Sequence, residues 1–153
     1  GISYGRTYLT GERTSTAIVP IGYADGIHRS ASGFDVEGAQ HVDKPGGPVR
    51  VMTLDGPRVL HVSGRVCMDQ FVLDLCGSAA ELGVHEGDTV MLFGPGRGEA
   101  YGEPTADDWA RAAGTISYEV FTCLCGRIPR LYLNAREVLS EDDLRLLDPA
   151  GIL

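Results

Sequence analysis

The chain has 153 residues, 43% of them apolar and 22% charged, with 13 basic against 21 acidic side chains and a net charge of −8. That length is one domain's, the composition is that of a globular chain rather than a disordered one, and no apolar run approaches the ~18 residues of a membrane-spanning helix. The acidic balance weighs against a nucleic-acid reader, so neither nucleic acid nor membrane is expected as a partner.

Glycine stands at 21 residues, well above the typical ~7%, which predicts many tight turns and therefore many short strands. Ala17 to Ile21 is an apolar run ending in the turn Gly22-Tyr23-Ala24-Asp25-Gly26. Ser30 to Pro48, with Pro45-Gly46-Gly47-Pro48 at its end, breaks the strand rhythm and reads as a long surface loop. Deleting Ser32 to Gly46 is therefore expected to cost little stability. Val49 to Leu54 and Arg58 to Val62 flank Asp55-Gly56, a hairpin signal. Phe71 to Leu75 is a further strand, and Thr89 to Phe93, stopped by Gly94-Pro95-Gly96, is the most strand-like run of the chain. The last third turns helical. Thr105 and Asp108 have capping-box spacing ahead of Trp109, Ala112 and Ala113, and Gly114 ends that helix. Thr115 is placed to cap a second helix over Ile116 to Leu124, closed by Gly126 and Pro129. Leu131-Tyr132-Leu133 reads as extended, and Ser140 caps a last turn carrying Leu144 and Leu147, with Pro149 behind it. The elements predict a mainly β fold, a Greek-key-like β-barrel with two or three short helices in the C-terminal third.

The chain enters Ile2-Ser3-Tyr4-Gly5-Arg6 directly from Gly1, without a methionine, as expected of a piece of a longer protein. Its four cysteines, Cys67, Cys76, Cys123 and Cys125, include no C-x-x-C pair, and no secretory signal precedes them, so free thiols of a cytoplasmic protein are expected. The four histidines, His28, His41, His61 and His85, have no metal-ligand spacing, and no metal is expected. Lys44 is the single lysine.

Read one at a time, the residues with chemical potential all have structural explanations. The aspartate of Gly22-Tyr23-Ala24-Asp25-Gly26 can satisfy turn amides, Tyr4 and Tyr118 can be core tyrosines, and Arg127 and Arg130 can be surface charges. Their order is more informative. Ser3-Tyr4-Gly5, then Pro20 to Gly26, then Gly64-Arg65-Val66-Cys67-Met68-Asp69-Gln70, then Gly114-Thr115-Ile116-Ser117-Tyr118-Glu119, then Arg127-Ile128-Pro129-Arg130 resembles the C-terminal domain of the bacterial alanine racemase family. The likeness runs from about Ser3 to Asn134. After Gly26, where that family often has an aromatic residue, this chain has Ile27-His28.

The resemblance implies a pyridoxal-phosphate enzyme of fold type III, in which residues 1–153 are the C-terminal β-domain. The cofactor lysine lies on an N-terminal (β/α)₈ barrel outside this chain. Two chains pair head to tail as a homodimer, so each site lies between the barrel of one and the C-terminal domain of the other. The implied reaction interconverts L- and D-alanine by two bases and feeds D-alanine to the cell wall. Tyr4 matches the catalytic tyrosine that serves one face of Cα. An ordinary tyrosine is almost wholly protonated at neutral pH, so that role calls for a cationic or basic neighbour, which the family supplies from the barrel. Tyr23 and Met68 match substrate-binding positions, the latter through its backbone, and Tyr118 matches the tyrosine whose hydroxyl touches the cofactor phosphate. Arg29, Arg65 and Asp69 match the entry corridor, where cations attract a carboxylate. Two alternatives stay open at this stage: a related racemase for serine, lysine or a broad range of amino acids, and a non-catalytic barrel module for binding or assembly. Lys44 lies in a polar loop segment, Asp43 to Gly47. A solvated lysine is a poor nucleophile, so the chain alone is expected to be inactive.

Overall fold

The computed structural model describes residues 1–10, 13–34, 44–94, 96–131, 137 and 139–147. The middle of the predicted loop (35–43), Pro95, Tyr132, Leu133 and Pro149 lie outside them. The described strands are β1 (Thr16–Val19), β2 (Pro48–Thr53), β3 (Gly56–His61) and β4 (Phe71–Asp74). The helices are α1 (Ala79–Leu82), α2 (Ala106–Ala113), α3 (Ser117–Cys123) and α4 (Glu141–Leu147). The fold is thus mainly β with short helices. Three of these four described α-helices fall in the C-terminal third, as the capping residues predict.

β1 pairs antiparallel with β4, and β2 with β3 across the Asp55-Gly56 turn, giving two two-stranded sheets. A bridge between Val62 and Leu73 joins β3 to β4, and one between Arg50 and Met91 extends β2 outward. These described strands do not by themselves close a barrel. The inward positions of each strand supply the core: Val19, Val49, Val51, Leu60, Val62, Phe71 and Leu73. α2 covers that core with Ala106, Trp109 and Ala110, and α3 adds Val120.

Four expectations need correction. Thr89 to Phe93 is not a strand; only Met91 pairs, exchanging both backbone hydrogen bonds with Arg50. The flanking groups are taken by the helical region, since Trp109 Nε1 donates to Leu92 O at 2.6 Å and Gly94 N to Pro104 O at 2.9 Å. The loop from Ser30 to Pro48 is not wholly superficial. Ala31, Ser32, Gly33, Gly46, Gly47 and Pro48 are buried, Gly33 exchanges hydrogen bonds with Gly64, and Gly47 accepts from Val62 N. Deleting Ser32 to Gly46 would remove the Gly33–Gly64 bonds and the Ser32 hydroxyl that accepts from Val66 N, and so destabilise the domain. Thr115 does not cap α3: the cap position is Ile116, with no side-chain bond, and the Thr115 hydroxyl donates to Glu119 instead. The helix itself, Ser117–Cys123 with caps at Ile116 and Leu124, matches the predicted Ile116 to Leu124. The α1 helix was missed, although Ser78, Glu81 and Gly83 carry the start and stop pattern that finds it.

The Thr105 cap forms as predicted. Asp108 N donates to Thr105 Oγ1 at 3.2 Å, and Thr105 N returns a bond to Asp108 Oδ2 at 2.8 Å. Ser140 caps α4 in the same way, accepting from Asp143 N at 3.2 Å. All four cysteines are free.

Candidate functional site

Tyr4 opens a single 3₁₀ turn, Tyr4–Arg6, whose backbone is unusual on either side. Ser3 has φ 61° and Arg6 φ 48°, left-handed values that cost a non-glycine residue about 1–3 kcal/mol. The turn is held by tertiary bonds. Ser3 Oγ donates to Arg65 O at 2.7 Å and lies 3.6 Å from Cys67 Sγ. The result is a tyrosine 70% exposed on an anchored turn.

The segment that anchors Tyr4 also anchors Tyr23. Tyr23 N donates to Cys67 O at 3.0 Å and Ala24 N to Met68 O at 2.9 Å. That approach requires Gly22, because a Cβ there would lie 2.4 Å from both carbonyl oxygens. Asp25 is buried and closes its own turn, accepting from Gly22 N at 2.8 Å. Its other oxygen faces Arg127 Nε at 3.2 Å, and Arg127 Nη2 donates to Asp69 at 2.8 Å. Arg127 therefore clamps the tyrosine turn to the Met68-Asp69 segment. The hydrogen bond to Asp69 and the charge of Asp25 hold its guanidinium still further toward the charged form.

Arg29 and the Arg65 segment are tied together by one hydroxyl. Ser32 Oγ donates to Arg29 O at 2.6 Å and accepts from Val66 N at 3.0 Å, which fixes Arg29 against the residue following Arg65. The Arg65 guanidinium lies over the Phe34 ring, 5.8 Å from its centre. Tyr118, 77% exposed, sits in the first turn of α3. The end of that helix lies against the Tyr23 turn: Gly26 has φ 110°, and a Cβ there would come within 2.1 Å of Cys123 O. Cys125 N donates to Asp25 O at 3.2 Å.

A continuous set of contacts thus joins Tyr4, Arg65, Met68, Asp69, Tyr23 and Arg29, and the C-terminal end of the helix that carries Tyr118 packs against the same turn. Among the described residues, the hydroxyls of Tyr4, Tyr23 and Tyr118 have no hydrogen-bond partner, so none is a satisfied core tyrosine. Ile27, the departure from the usual aromatic, is part of the buried core. Arg127 was read as a surface charge, and Ser32 was not singled out. The signal for Arg127 was the turn aspartate, Asp25, which calls for a cation and finds it across the fold. Spacing along the chain also hid a juxtaposition across it, of His28, Glu119 and Cys123.

What the fold and site define is a mainly β domain that presents exposed tyrosine hydroxyls and arginines from one cross-linked set of turns. The family model described as the alanine racemase C-terminal domain matches residues 1–132, and the chain belongs to that family. It is 50% identical over 137 residues to an alanine racemase from Beutenbergia cavernae, covering 90% of this chain and 30% of that protein. Among solved structures, the alanine racemase from Streptomyces coelicolor A3(2) matches with a TM-score of 0.69 at 46% identity, over 88% of this chain and 29% of that one. An alanine racemase from Clostridium difficile 630 in complex with cycloserine matches with a TM-score of 0.63 at 36% identity, over 86% and 28%. The chain therefore spans about three-tenths of the length of these relatives. Among the described residues no helix is long and apolar enough to cross a membrane.

Proposed function

We propose that this chain is the C-terminal part of an alanine racemase and supplies one of its two bases and one wall of its substrate entry. The observation that carries the reading is Tyr4, an unpartnered, exposed phenol on a strained turn pinned by Ser3 to the Arg65-Cys67 segment. A non-catalytic module has no use for such strain at a bare phenol.

Racemisation removes the Cα proton on one face and returns a proton on the other. The Tyr4 oxygen takes or gives the proton on its face, and the Tyr4–Arg6 turn fixes where that oxygen stands. Tyr23 and Met68 flank it through the bonds that join residues 22–24 to 67–68, and so bound the space beside the substrate. Arg29, Arg65 and Asp69 line the approach, where the arginines attract the substrate carboxylate.

The residues present suit pyridoxal phosphate as one side of its site. Tyr118 offers an unpartnered phenol as a donor to a phosphate oxygen, and when bound the cofactor supplies the electron sink that acidifies the Cα–H bond. The lysine that anchors it comes from the barrel domain in this reading, because Lys44 donates its ammonium to Ser30 O. By itself the chain catalyses no racemisation.

Ile116, Tyr118 and Phe121 are exposed apolar side chains along α3, which supports the barrel domains of a head-to-tail homodimer as their cover. The bridges at Gly33–Gly64, Arg50–Met91 and Val62–Leu73 support a Greek-key barrel as the finer architecture. The product, D-alanine, would serve cell-wall synthesis from the cytoplasm.

The test is Tyr4→Phe in the longer enzyme that carries this chain, assayed from both enantiomers. The expected result is a loss of about 10²–10⁴-fold, heaviest from L-alanine, with cofactor content unchanged. Near-normal turnover in both directions overturns the assignment. Faster turnover of serine or lysine than of alanine would instead make it a racemase of other substrate range.

A further inference from the structure

His28 is the residue after the buried Ile27, and its side chain is mostly covered, at 16% exposure. Its ring nitrogen Nε2 lies 3.7 Å from Cys123 Sγ and 3.9 Å from Glu119 Oε2. The ligating atoms of the three all fall within 4.8 Å of one another. From this arrangement we propose a binding site for a zinc-class divalent ion, held by His28, Glu119 and Cys123.

Three features support it. The first is distance. Tetrahedral zinc with bonds of about 2.0–2.3 Å sets its ligands roughly 3.3–3.8 Å apart, so the observed separations close with small side-chain rotations. The second is preorganisation. Glu119 and Cys123 stand at i and i+4 on α3 and share a face. The turn that carries His28 is fixed against the end of that helix by Gly26 on Cys123 O and by the Cys125 N to Asp25 O bond. The third is the support behind a ligand. The Thr115 hydroxyl donates to the same Glu119 oxygen that faces His28, the type of outer contact that orients a metal-bound carboxylate.

The donor set decides the class of ion. One thiolate, one imidazole and one carboxylate suit zinc and its neighbours in the first transition row, and do not suit calcium or magnesium, which take oxygen ligands. Among the described residues no fourth His, Cys, Asp or Glu joins the group, so water completes the tetrahedron. Binding forms the sulfur–metal bond as the Cys123 thiol gives up its proton to solvent. The ion would tie the Arg29 turn to the helix that carries Tyr118.

The longer enzyme that carries this chain, treated with chelator and then dialysed against Zn²⁺ or Co²⁺, tests this directly. One equivalent should be retained, and Co²⁺ should show a thiolate charge-transfer band with a tetrahedral visible spectrum. Cys123→Ser should abolish the band, and His28→Gln and Glu119→Gln should each weaken binding by about 10–100-fold or more. Cys76→Ser, which removes an exposed thiol elsewhere, should change nothing. Far-ultraviolet circular dichroism checks that each variant keeps the fold. The proposal is overturned by a band that survives Cys123→Ser, by unchanged affinity in either of the other two ligand variants, by Mg²⁺ binding as tightly as Zn²⁺, or by no retained ion.

Discussion

The aromatic rings of α2's core contact and those of the tyrosine face are used in opposite ways. Trp109 is 2% exposed, tilts against Phe71 at 6.2 Å between ring centres, and satisfies its indole N–H on Leu92 O. Tyr4 and Tyr118 are 70% and 77% exposed, and their hydroxyls meet no described partner. A buried aromatic ring contributes its apolar area and must satisfy its polar atom internally. An exposed one contributes little to folding and keeps its polar atom for something else. Substitutions in the two regions should therefore separate stability from chemistry.

The largest effect is expected in the core. Trp109→Ala removes the ring and orphans the Leu92 carbonyl, and should cost about 3–5 kcal/mol in denaturant unfolding. A cost below 1 kcal/mol would mean that α2 does not cover the core.

Asp25→Ala lies at the border of the two regions. It strips the buried Gly22 N–H of its acceptor and releases Arg127. The expected loss is about 1–3 kcal/mol. In the longer enzyme Arg127→Gln should raise KM more than it lowers kcat, since it loosens the Tyr23 and Asp69 segments without touching the reacting atoms. An unchanged KM would reduce Arg127 to a surface charge.

The α2 cap should show a smaller effect that depends on pH. Thr105→Ala is expected to cost about 1 kcal/mol at neutral pH. Burial works against the charge on Asp108, but the Thr105 N–H and hydroxyl and the Arg111 guanidinium outweigh it, holding the carboxyl below the ordinary aspartate range. A carboxyl lowered by folding stabilises the protein above its unfolded pKa and loses that contribution as pH falls through the folded value. Wild type and Asp108→Asn should thus differ at neutral pH and begin to converge only as pH falls from the ordinary aspartate value of about 3.9 toward the lower folded one. Parallel curves down to strong acid would rule the cap out as the source.

Tyr118→Phe should have the least effect on folding, within about 0.5 kcal/mol, while modestly weakening cofactor retention in the longer enzyme. A larger loss of stability with unchanged retention would move Tyr118 into the same category as Trp109.

The sequence by itself determined what depends on near neighbours. The β2–β3 hairpin follows from Asp55-Gly56 between alternating apolar runs, α2 from Thr105, Asp108 and Gly114, and α4 from Ser140. The order of short motifs also named Tyr4, Tyr23, Arg65, Met68 and Tyr118 as candidates. Only the tertiary structure decided which apparent elements survive competition for their hydrogen bonds. Thr89 to Phe93 has strand composition, yet Trp109 takes Leu92 O and Pro104 takes Gly94 N, so one pair remains of a strand. The Ser30 to Pro48 segment has loop composition, yet its ends are buried because Val62 and Gly64 need their backbone partners. The same holds for the charged contacts. Asp25, Asp69 and Arg127, like His28, Glu119 and Cys123, meet only after the chain folds. An ion pair or a ligand set depends on distance through space, which no local pattern of side chains encodes.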